Sequence, residues 1–404
     1  MKNLNVESFI KTKITKRSDS FFKKDIADNA SLLSSEIERK SMLVIGGAGT
    51  IGSAFIREAL KFNPARLYVF DINENGLTEL SRDLRSSIDI MVPADYKAYS
   101  INFGDPIFEK IIDRKGPFDI VANFAAHKHV RSEKDHYSVS ALLDNNILKA
   151  ERLLQQLEKK PPKHFFCVST DKAANPVNIM GASKKVMEEL VLSYANRFPI
   201  TTARFANVAF SNGSLLDGFL FRLMKRQPLT IPIGIRRFFV SPEEAGQICL
   251  LSCILGKSGE IFFPKFNNNE MVSFYDITLD FLNHMGYDMQ QCQSEKEAKE
   301  VSSRLNEYSS HYPVYCSMTD TSGEKSYEEF YTDNEQPNLV RFQSLGVIEN
   351  TMRREFSEVN NFVEKLKTVL LHEKVSKTEI VRILEEFLPE FHHIETNKNL
   401  DQKM

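Results

Sequence analysis

The sequence predicts an α/β fold: a doubly wound parallel sheet with a smaller mixed α/β lobe and helical extensions at both ends. Three observations carry that expectation. From Ser41 to Lys265, short β-branched or aromatic runs alternate with amphipathic stretches, the pattern of strands joined by helical crossovers. The first run passes directly into a glycine cluster, and an acidic residue closes the second.

Taken in order, residues 1–40 are polar and charged, with isolated apolar residues at helical spacing; they read as a partly loose helical lead-in. Strands are expected at 42–46, 66–71, 96–102, 119–126, 164–170 and 201–208, with GEIFFPK at 259–265 as one more. SAFIREALKF and NILKAERLLQQLEKK are the amphipathic crossovers between them, and such crossovers are right-handed. The sheet domain is assigned to 41–265, with part of the small lobe interleaved after 208. Residues 266–345 loosen into a helix-like segment at Tyr275–His284 and polar loops, and form the rest of that lobe. Residues 346–404 read as a helical extension, amphipathic at Lys377–Phe391, before a polar tail expected to be disordered.

Composition excludes several classes. Lys plus Arg number 52 and Asp plus Glu 54, a net charge of −2, which argues against a nucleic-acid partner held by bulk electrostatics. No run approaches the roughly 18 apolar residues of a membrane span, and the basic N-terminus lacks the apolar core of a secretory signal. A cytoplasmic protein without a membrane span is expected. Cys167, Cys249, Cys253, Cys292 and Cys316 lack zinc-ligand spacing and read as reduced thiols, with no metal site.

Glycine is scarce, 17 residues in 404, yet four fall in the seven positions Gly46-Gly47-Ala48-Gly49-Thr50-Ile51-Gly52. In this G-x-x-G-x-x-G turn, Gly46 permits the tight bend, Gly49 lets backbone approach a pyrophosphate, and Gly52 lets helix and strand pack closely. Thr50 and Ile51 open the helix whose N-terminus would hold the phosphates. Asp71, nineteen residues after Gly52, is placed to hydrogen-bond ribose hydroxyls and to repel a 2′-phosphate, which favours NAD over NADP. Asn102-Phe103 at the third strand's end and Ala125-Ala126 after the fourth are the further cofactor candidates: a polar contact for adenine, and small residues that let a ribose lie close.

Ligands of such sheets sit beyond the carboxyl ends of the strands. That places Thr170-Asp171-Lys172, at the end of the fifth strand, toward the nicotinamide.

Here the sequence resembles the extended short-chain dehydrogenase/reductase superfamily, and within it the UDP-N-acetylglucosamine 4,6-dehydratases of polysaccharide and glycan biosynthesis. The resemblance rests on the GGAGTIG turn, AAHKHVRSEKD at 125–135, STDKAANPVNIMGASKK at 169–185, RFANVAFSNGS at 204–214, RRFFVSPEEA at 236–245, GEIFFPK, and SGEKSYEE at 322–329. It covers Ser41 to Glu329.

The resemblance implies a Rossmann-type NAD domain, with a substrate-binding lobe at 266–345. It assigns Asp171 as the acid for the C6 hydroxyl, Lys172 as the base for C5–H, Thr170 as a partner of the C4 oxygen, and Lys184 to the nicotinamide ribose. It places Lys128 and His129 at the sugar or diphosphate, Asn207 and Ser214 around a diphosphate and nucleoside loop, Arg237 at phosphate, and Glu324 in a segment closing over the nucleotide. Two departures stand out. Met180 occupies the position of the superfamily tyrosine four before the lysine, which resembles the subgroup that retains configuration at C5. Thr321-Ser322 stand where the family has Arg-Pro. The product implied is a UDP-2-acetamido-2,6-dideoxy-4-keto sugar. The alternatives are an inverting dehydratase, a 4-epimerase, or a catalytically silent NAD-binding scaffold. Relatives are homo-oligomers, and the apolar runs Ile147–Leu157 and Val186–Tyr194 suit a helical interface as well as they suit core packing.

Overall fold

The computed structural model describes residues 4–129, 133–317, 328–349, 353–372 and 375–393. The described part of the sheet domain is built on nine strands. Six come in order: β1 (Ser41–Ile45), β2 (Arg66–Asp71), β3 (Asp95–Ser100), β4 (Ile120–Asn123), β5 (His164–Val168) and β6 (Ile200–Ala203). Short strands β7 (Asn207–Val208), β8 (Leu229–Pro232), β9 (Arg236–Arg237) and β10 (Phe239–Val240) follow, then β11 (Glu260–Pro264). Beyond them lie β12 (Val272–Ser273), β13 (Asp288–Cys292), β14 (His311–Ser317), β15 (Pro337–Asn338) and β16 (Leu345–Ile348).

The large sheet runs β15-β16-β11-β6-β5-β4-β1-β2-β3. Every pairing from β3 to β11 is parallel, whereas β16 and β15 add antiparallel. Order 3-2-1-4-5-6 places the reversal between β1 and β4, the crevice where such sheets bind ligands.

β1, β4, β5 and β6 are almost wholly buried because helices cover both faces. One layer contains α4 (Thr50–Leu60) and α11 (Pro242–Leu255), which share a core with Met42, Val44, Phe166 and Phe262. Ser241 and Glu244 form a reciprocal cap at the start of α11. The other layer contains α7 (His136–Leu143), α8 (Lys149–Lys159) and α9 (Ile179–Ser193), with a π-turn at Asp144–Leu148 joining the first two.

Three expectations are revised. The sequence assigns 337–345 to the small lobe and 346–348 to the helical extension, but 337–348 form the edge of the large sheet, because Leu345–Ile348 pairs with β11 and Pro337–Asn338 with β16. The small lobe instead rests on β13-β14-β8. The N-terminal segment is docked rather than loose: Phe9, Ile10 and Ile14 join the lobe's core, and Phe22, Leu33 and Ile37 join that of the sheet domain. Arg17 clamps Glu244 at 2.9 Å, and Asp25 accepts the amides of Gln343 and Ser344 ahead of β16.

The apolar runs Ile147–Leu157 and Val186–Tyr194, which suit a helical interface and core packing equally well, are covered within the chain itself. Helices at Phe356–Leu370 and Lys377–Phe387 pack Val363, Leu366, Ile380 and Leu384 into one core with Leu142, Ile147, Val186 and Leu190. Lys367 reaches Glu151 of α8 at 2.8 Å, and Phe356 packs edge-on against Tyr194, 5.2 Å between centroids.

Candidate active site

The glycine turn joins β1 to α4. Gly46 has φ 75°, and a Cβ there would lie 2.5 Å from Ala125 N. A Cβ on Gly52 would lie 2.3 Å from Gly46 O. At both positions backbone leaves no room for a side chain. Around Gly49 the nearest heavy atom to such a Cβ is 3.5 Å away, so that side of the turn is open. The first intrahelical bond is Ser53 N to Gly49 O. The N–H groups of Thr50, Ile51 and Gly52 therefore belong to the unsatisfied first turn, where an anion is favoured.

Asp71 closes β2 and accepts from Ala48 N at 3.0 Å and Asn73 N at 2.9 Å, so it fixes the turn as well as facing the cleft. A single cleft is lined by Gly46, Gly49, Thr50, Ile51, Gly52, Asp71, Asn102, Phe103, Ala125, Ala126 and Lys128, together with His127 and Asn145. Asn102 spends its carbonyl oxygen on Gly104 N. The unsatisfied first-turn N–H groups of α4 beside an open cleft, with a carboxylate at the next strand's end, fit a dinucleotide, diphosphate on α4 and ribose at Asp71.

One strand over, β5 is paired with β4 in the register Asn123↔Cys167, so Ser169–Lys172 leave the sheet at the same edge as Ala125. Thr170 caps a short 3₁₀ turn, Asp171–Ala173, and its Oγ1 donates to Asp171 Oδ1 at 2.8 Å. Lys172 Nζ donates to both oxygens of Asp171, at 3.1 and 3.3 Å. Asp171 is buried, whereas the Lys172 side chain is 35% exposed. Thr170, Asp171 and Lys172 thus form one hydrogen-bonded unit.

Lys184 and Met180, on α9, lie beneath that unit. Lys184 Nζ donates to Val168 O at 3.0 Å in a fully packed setting. Burial holds its pKa below the usual lysine value, against the pull of Cys167 and Glu188. In this conformation Lys184 belongs to the β5–α9 seam rather than to the cleft lining. The Met180 side chain sits in the apolar core; its N–H donates to Glu133 Oε1 at 2.9 Å. Glu133 is a missed residue: it caps α9 and its pKa is raised by burial. Asn146 is another. It brackets the backbone of His127 on both sides, at 2.8 and 3.0 Å, and donates to Ser183 Oγ at 3.1 Å.

The substrate candidates divide into two groups. Lys128 Nζ donates to Asn212 O at 3.0 Å, and Asn212 N donates to Thr50 Oγ1 at 2.9 Å. His129 stands against Gly213, whose Cβ would lie 3.3 Å from the ring. Ser214 caps Leu215–Met224, accepting from Asp217 N. These residues close a loop over the glycine turn.

Asn207 and Arg237 belong to a second cluster. Asn207 Nδ2 donates to Glu328 Oε1 at 2.6 Å, and Phe238 N donates to Glu328 Oε2 at 2.7 Å; Arg237 is buried beside them. Glu324, with Thr321-Ser322, lies outside the described residues. Glu328, in the same SGEKSYEE stretch, was not singled out from the sequence. Only its burial and its position near Asp171 distinguish it from its neighbours.

A crossover sheet that places a glycine turn and a Thr-Asp-Lys unit side by side has the extended short-chain dehydrogenase/reductase architecture. The chain belongs to the polysaccharide biosynthesis protein family, whose model matches residues 42–350. It is 30% identical over 317 residues to the uncharacterized membrane protein MJ1061 of Methanocaldococcus jannaschii, covering 76% of this chain and 85% of that one. It is 26% identical over 353 residues to the capsular polysaccharide biosynthesis protein CapD of Staphylococcus aureus, covering 86% of this chain; it spans only 54% of CapD's length.

Among solved structures, Pen from Bacillus thuringiensis superimposes with TM-score 0.62 at 21% identity, covering 83% of this chain and 99% of Pen. DesIV, a dTDP-glucose 4,6-dehydratase from Streptomyces venezuelae solved with NAD, superimposes with TM-score 0.54 at 18% identity, covering 72% and 87%. At such identities these two likenesses carry the fold. No helix among the described residues is long and apolar enough to cross a membrane.

Proposed function

We propose that the chain is an NAD-dependent nucleotide-sugar 4,6-dehydratase. In this reading it converts UDP-N-acetylglucosamine into a UDP-2-acetamido-2,6-dideoxy-4-keto sugar with configuration at C5 retained. The observation that carries the reading is the Thr170–Asp171–Lys172 unit. A 4-epimerase moves a hydride at C4 and needs neither an acid for O6 nor a base for C5–H, whereas an elimination needs both. The GGAGTIG turn, Asp71 and the cleft between them support NAD as cofactor.

NAD supplies hydride acceptance from C4 and hydride return at C6. The residues supply the proton movements. Met180 carries no transferable proton, so the C4 hydroxyl passes its proton to Thr170 Oγ1 as Thr170 passes its own to Asp171, along the 2.8 Å bond between them. Lys172, partly open to solvent, sheds a proton to water and takes the C5 proton, which the 4-ketone has made acidic. Asp171 then gives its proton to O6, and water leaves. The same lysine returns a proton to the same face of C5, which preserves configuration there. The proton lost from O4 leaves in the water, Lys172 recovers from solvent the proton it shed, and the cofactor ends as it began. Lys128, Asn207, Ser214 and Arg237 are the donors proposed for the diphosphate and nucleoside, arginine through its planar fork.

Mass spectrometry of UDP-N-acetylglucosamine after incubation with the protein is expected to show a product lighter by one water. An unchanged mass with a shifted sugar stereochemistry would assign the site to epimerisation instead.

A further inference from the structure

Residues 4–40 precede the first strand of the sheet, yet they are tied to both lobes. Phe9, Ile10 and Ile14 pack in the small-lobe core, and Lys13 reaches Asp280 of the helix Phe274–Met285 at 3.1 Å. From Phe22 onward the segment belongs to the core of the sheet domain. Arg17 stands where the chain crosses from one to the other. Its Nε and Nη2 donate to the two oxygens of Glu244, both at 2.9 Å, the bidentate arrangement a guanidinium favours. Nη2 also donates to Phe239 O at 3.1 Å, and Nη1 to Glu270 Oε1 at 3.4 Å. The guanidinium lies 5.3 and 5.6 Å from the ring centroids of Phe21 and Phe266, which stack on each other.

The Glu244 contact docks the segment: that carboxylate heads α11 and also accepts Phe21 N at 3.0 Å. The other two contacts fall elsewhere. Phe239 opens β10, two residues after Arg237, and is paired in register with Asn207 of β7. Glu270 stands two residues before Val272, and β12 pairs with β9 in the register Val272↔Arg237. Arg236 adds a bond to Met271 O at 2.8 Å. One guanidinium therefore grips both stretches of chain that bracket Arg237 and, through β10, bears on the strand of Asn207. A lysine could place a point charge beside Glu244, but it has no fork with which to hold Glu244, Phe239 O and Glu270 at once.

We propose that Arg17 is a positioning residue for nucleotide binding. It sets β9 and β10 so that the buried Arg237 and Asn207 keep the spacing that a uridine diphosphate requires. The N-terminal segment thereby becomes part of the substrate site without touching the substrate. The proposal rests on the reading of Asn207 and Arg237 as donors to the diphosphate and nucleoside.

Titration calorimetry with UDP, and separately with NAD, tests this. R17A and R17K are expected to bind UDP about tenfold more weakly, the size of one lost hydrogen bond to a charged group, with NAD affinity unchanged. R17K keeps a cation beside Glu244 and is expected to melt close to the wild type, so that its weaker UDP binding is not a loss of fold. A merely structural clamp would either leave UDP affinity intact in R17K or lower UDP and NAD affinity together. Either result overturns the proposal.

Hydrogen exchange needs no ligand. Backbone amides of 236–240 and 270–273 are expected to exchange faster in both variants than in the wild type, while those of β1 and β4 keep their rates. That pattern, with a wild type that binds NAD but not UDP, would support the hold of Arg17 on these strands while refuting Asn207 and Arg237 as nucleotide donors. Unchanged exchange at 236–240 and 270–273 overturns the proposal even if UDP is bound.

Discussion

Asp171→Asn is expected to reduce formation of the 4-keto product by about 10²–10⁴-fold, the range for loss of a positioned general acid or base. Folding and cofactor content should be retained. The asparagine preserves shape at a buried position but can neither take the O4 proton nor deliver one to O6. It also removes the counter-ion that Lys172 contacts at 3.1 and 3.3 Å, so the base is disturbed together with the acid. Lys172→Ala should fall by a comparable factor for a different reason: C5–H then has no acceptor. A stopped-flow experiment separates the two. Reduced cofactor should build up transiently in Lys172→Ala, where C4 oxidation still has its proton path through Thr170 and Asp171. It should not build up in Asp171→Asn. Near-normal turnover in both variants would remove the Thr-Asp-Lys unit from the mechanism.

Glu188→Gln is expected to destabilise the protein by about 3–5 kcal/mol, the cost of breaking a buried ion pair on one side. Arg204 is completely buried. Glu188 meets its Nε and Nη2 at 3.1 and 2.5 Å, Glu335 adds bonds at 2.7 and 2.8 Å, and Phe330 O accepts at 2.9 Å. The guanidinium therefore ties α9, which carries Met180 and Lys184, to the segment that follows Glu328.

Burial alone would raise the Glu188 carboxyl. Arg204 and Lys185 overcome it and bring it to about 2, from an ordinary 4.5. A carboxyl depressed on folding binds fewer protons in the native state, so its stabilisation is present above pH 4.5 and is lost as pH falls toward 2. Urea unfolding should therefore show a gap between wild type and Glu188→Gln that is full at neutral pH and narrows on acidification. A difference within about 0.5 kcal/mol at pH 7, the usual size of a neutral surface change, would refute the argument.

What could be read from the sequence divides along a physical line. The strand alternation and the glycine turn are local: Gly46, Gly49, Gly52 and Asp71 are set by a bend, a close approach and one strand's length, so residue order alone exposes them. The Thr170-Asp171-Lys172 unit is three consecutive residues and equally visible. Glu328 is not, because Glu324, Glu328 and Glu329 share one stretch and only burial against Asn207 and Phe238 separates them. The same limit applies to Lys184, whose hydrogen bond to Val168 O depends on how α9 packs on β5. It applies again to Ile147–Leu157 and Val186–Tyr194, whose apolar faces did not reveal that helices from the chain's own C-terminal region cover them. The edge pairing of Leu345–Ile348 is likewise a long-range contact, across some eighty residues from β11, that short-range periodicity does not encode.

The central claim is that one site oxidises at C4, eliminates across C5–C6 and returns the hydride to C6. Proton NMR of the product formed from UDP-N-acetylglucosamine in deuterated water tests it directly. The account predicts a new C6 methyl signal collapsed to a singlet, because Lys172 exchanges its proton with solvent and delivers deuterium to C5, with the C5 configuration of the substrate kept. A C5-inverted product would contradict the single-face role of Lys172. A product that keeps its C6 hydroxyl would contradict the dehydratase reading altogether.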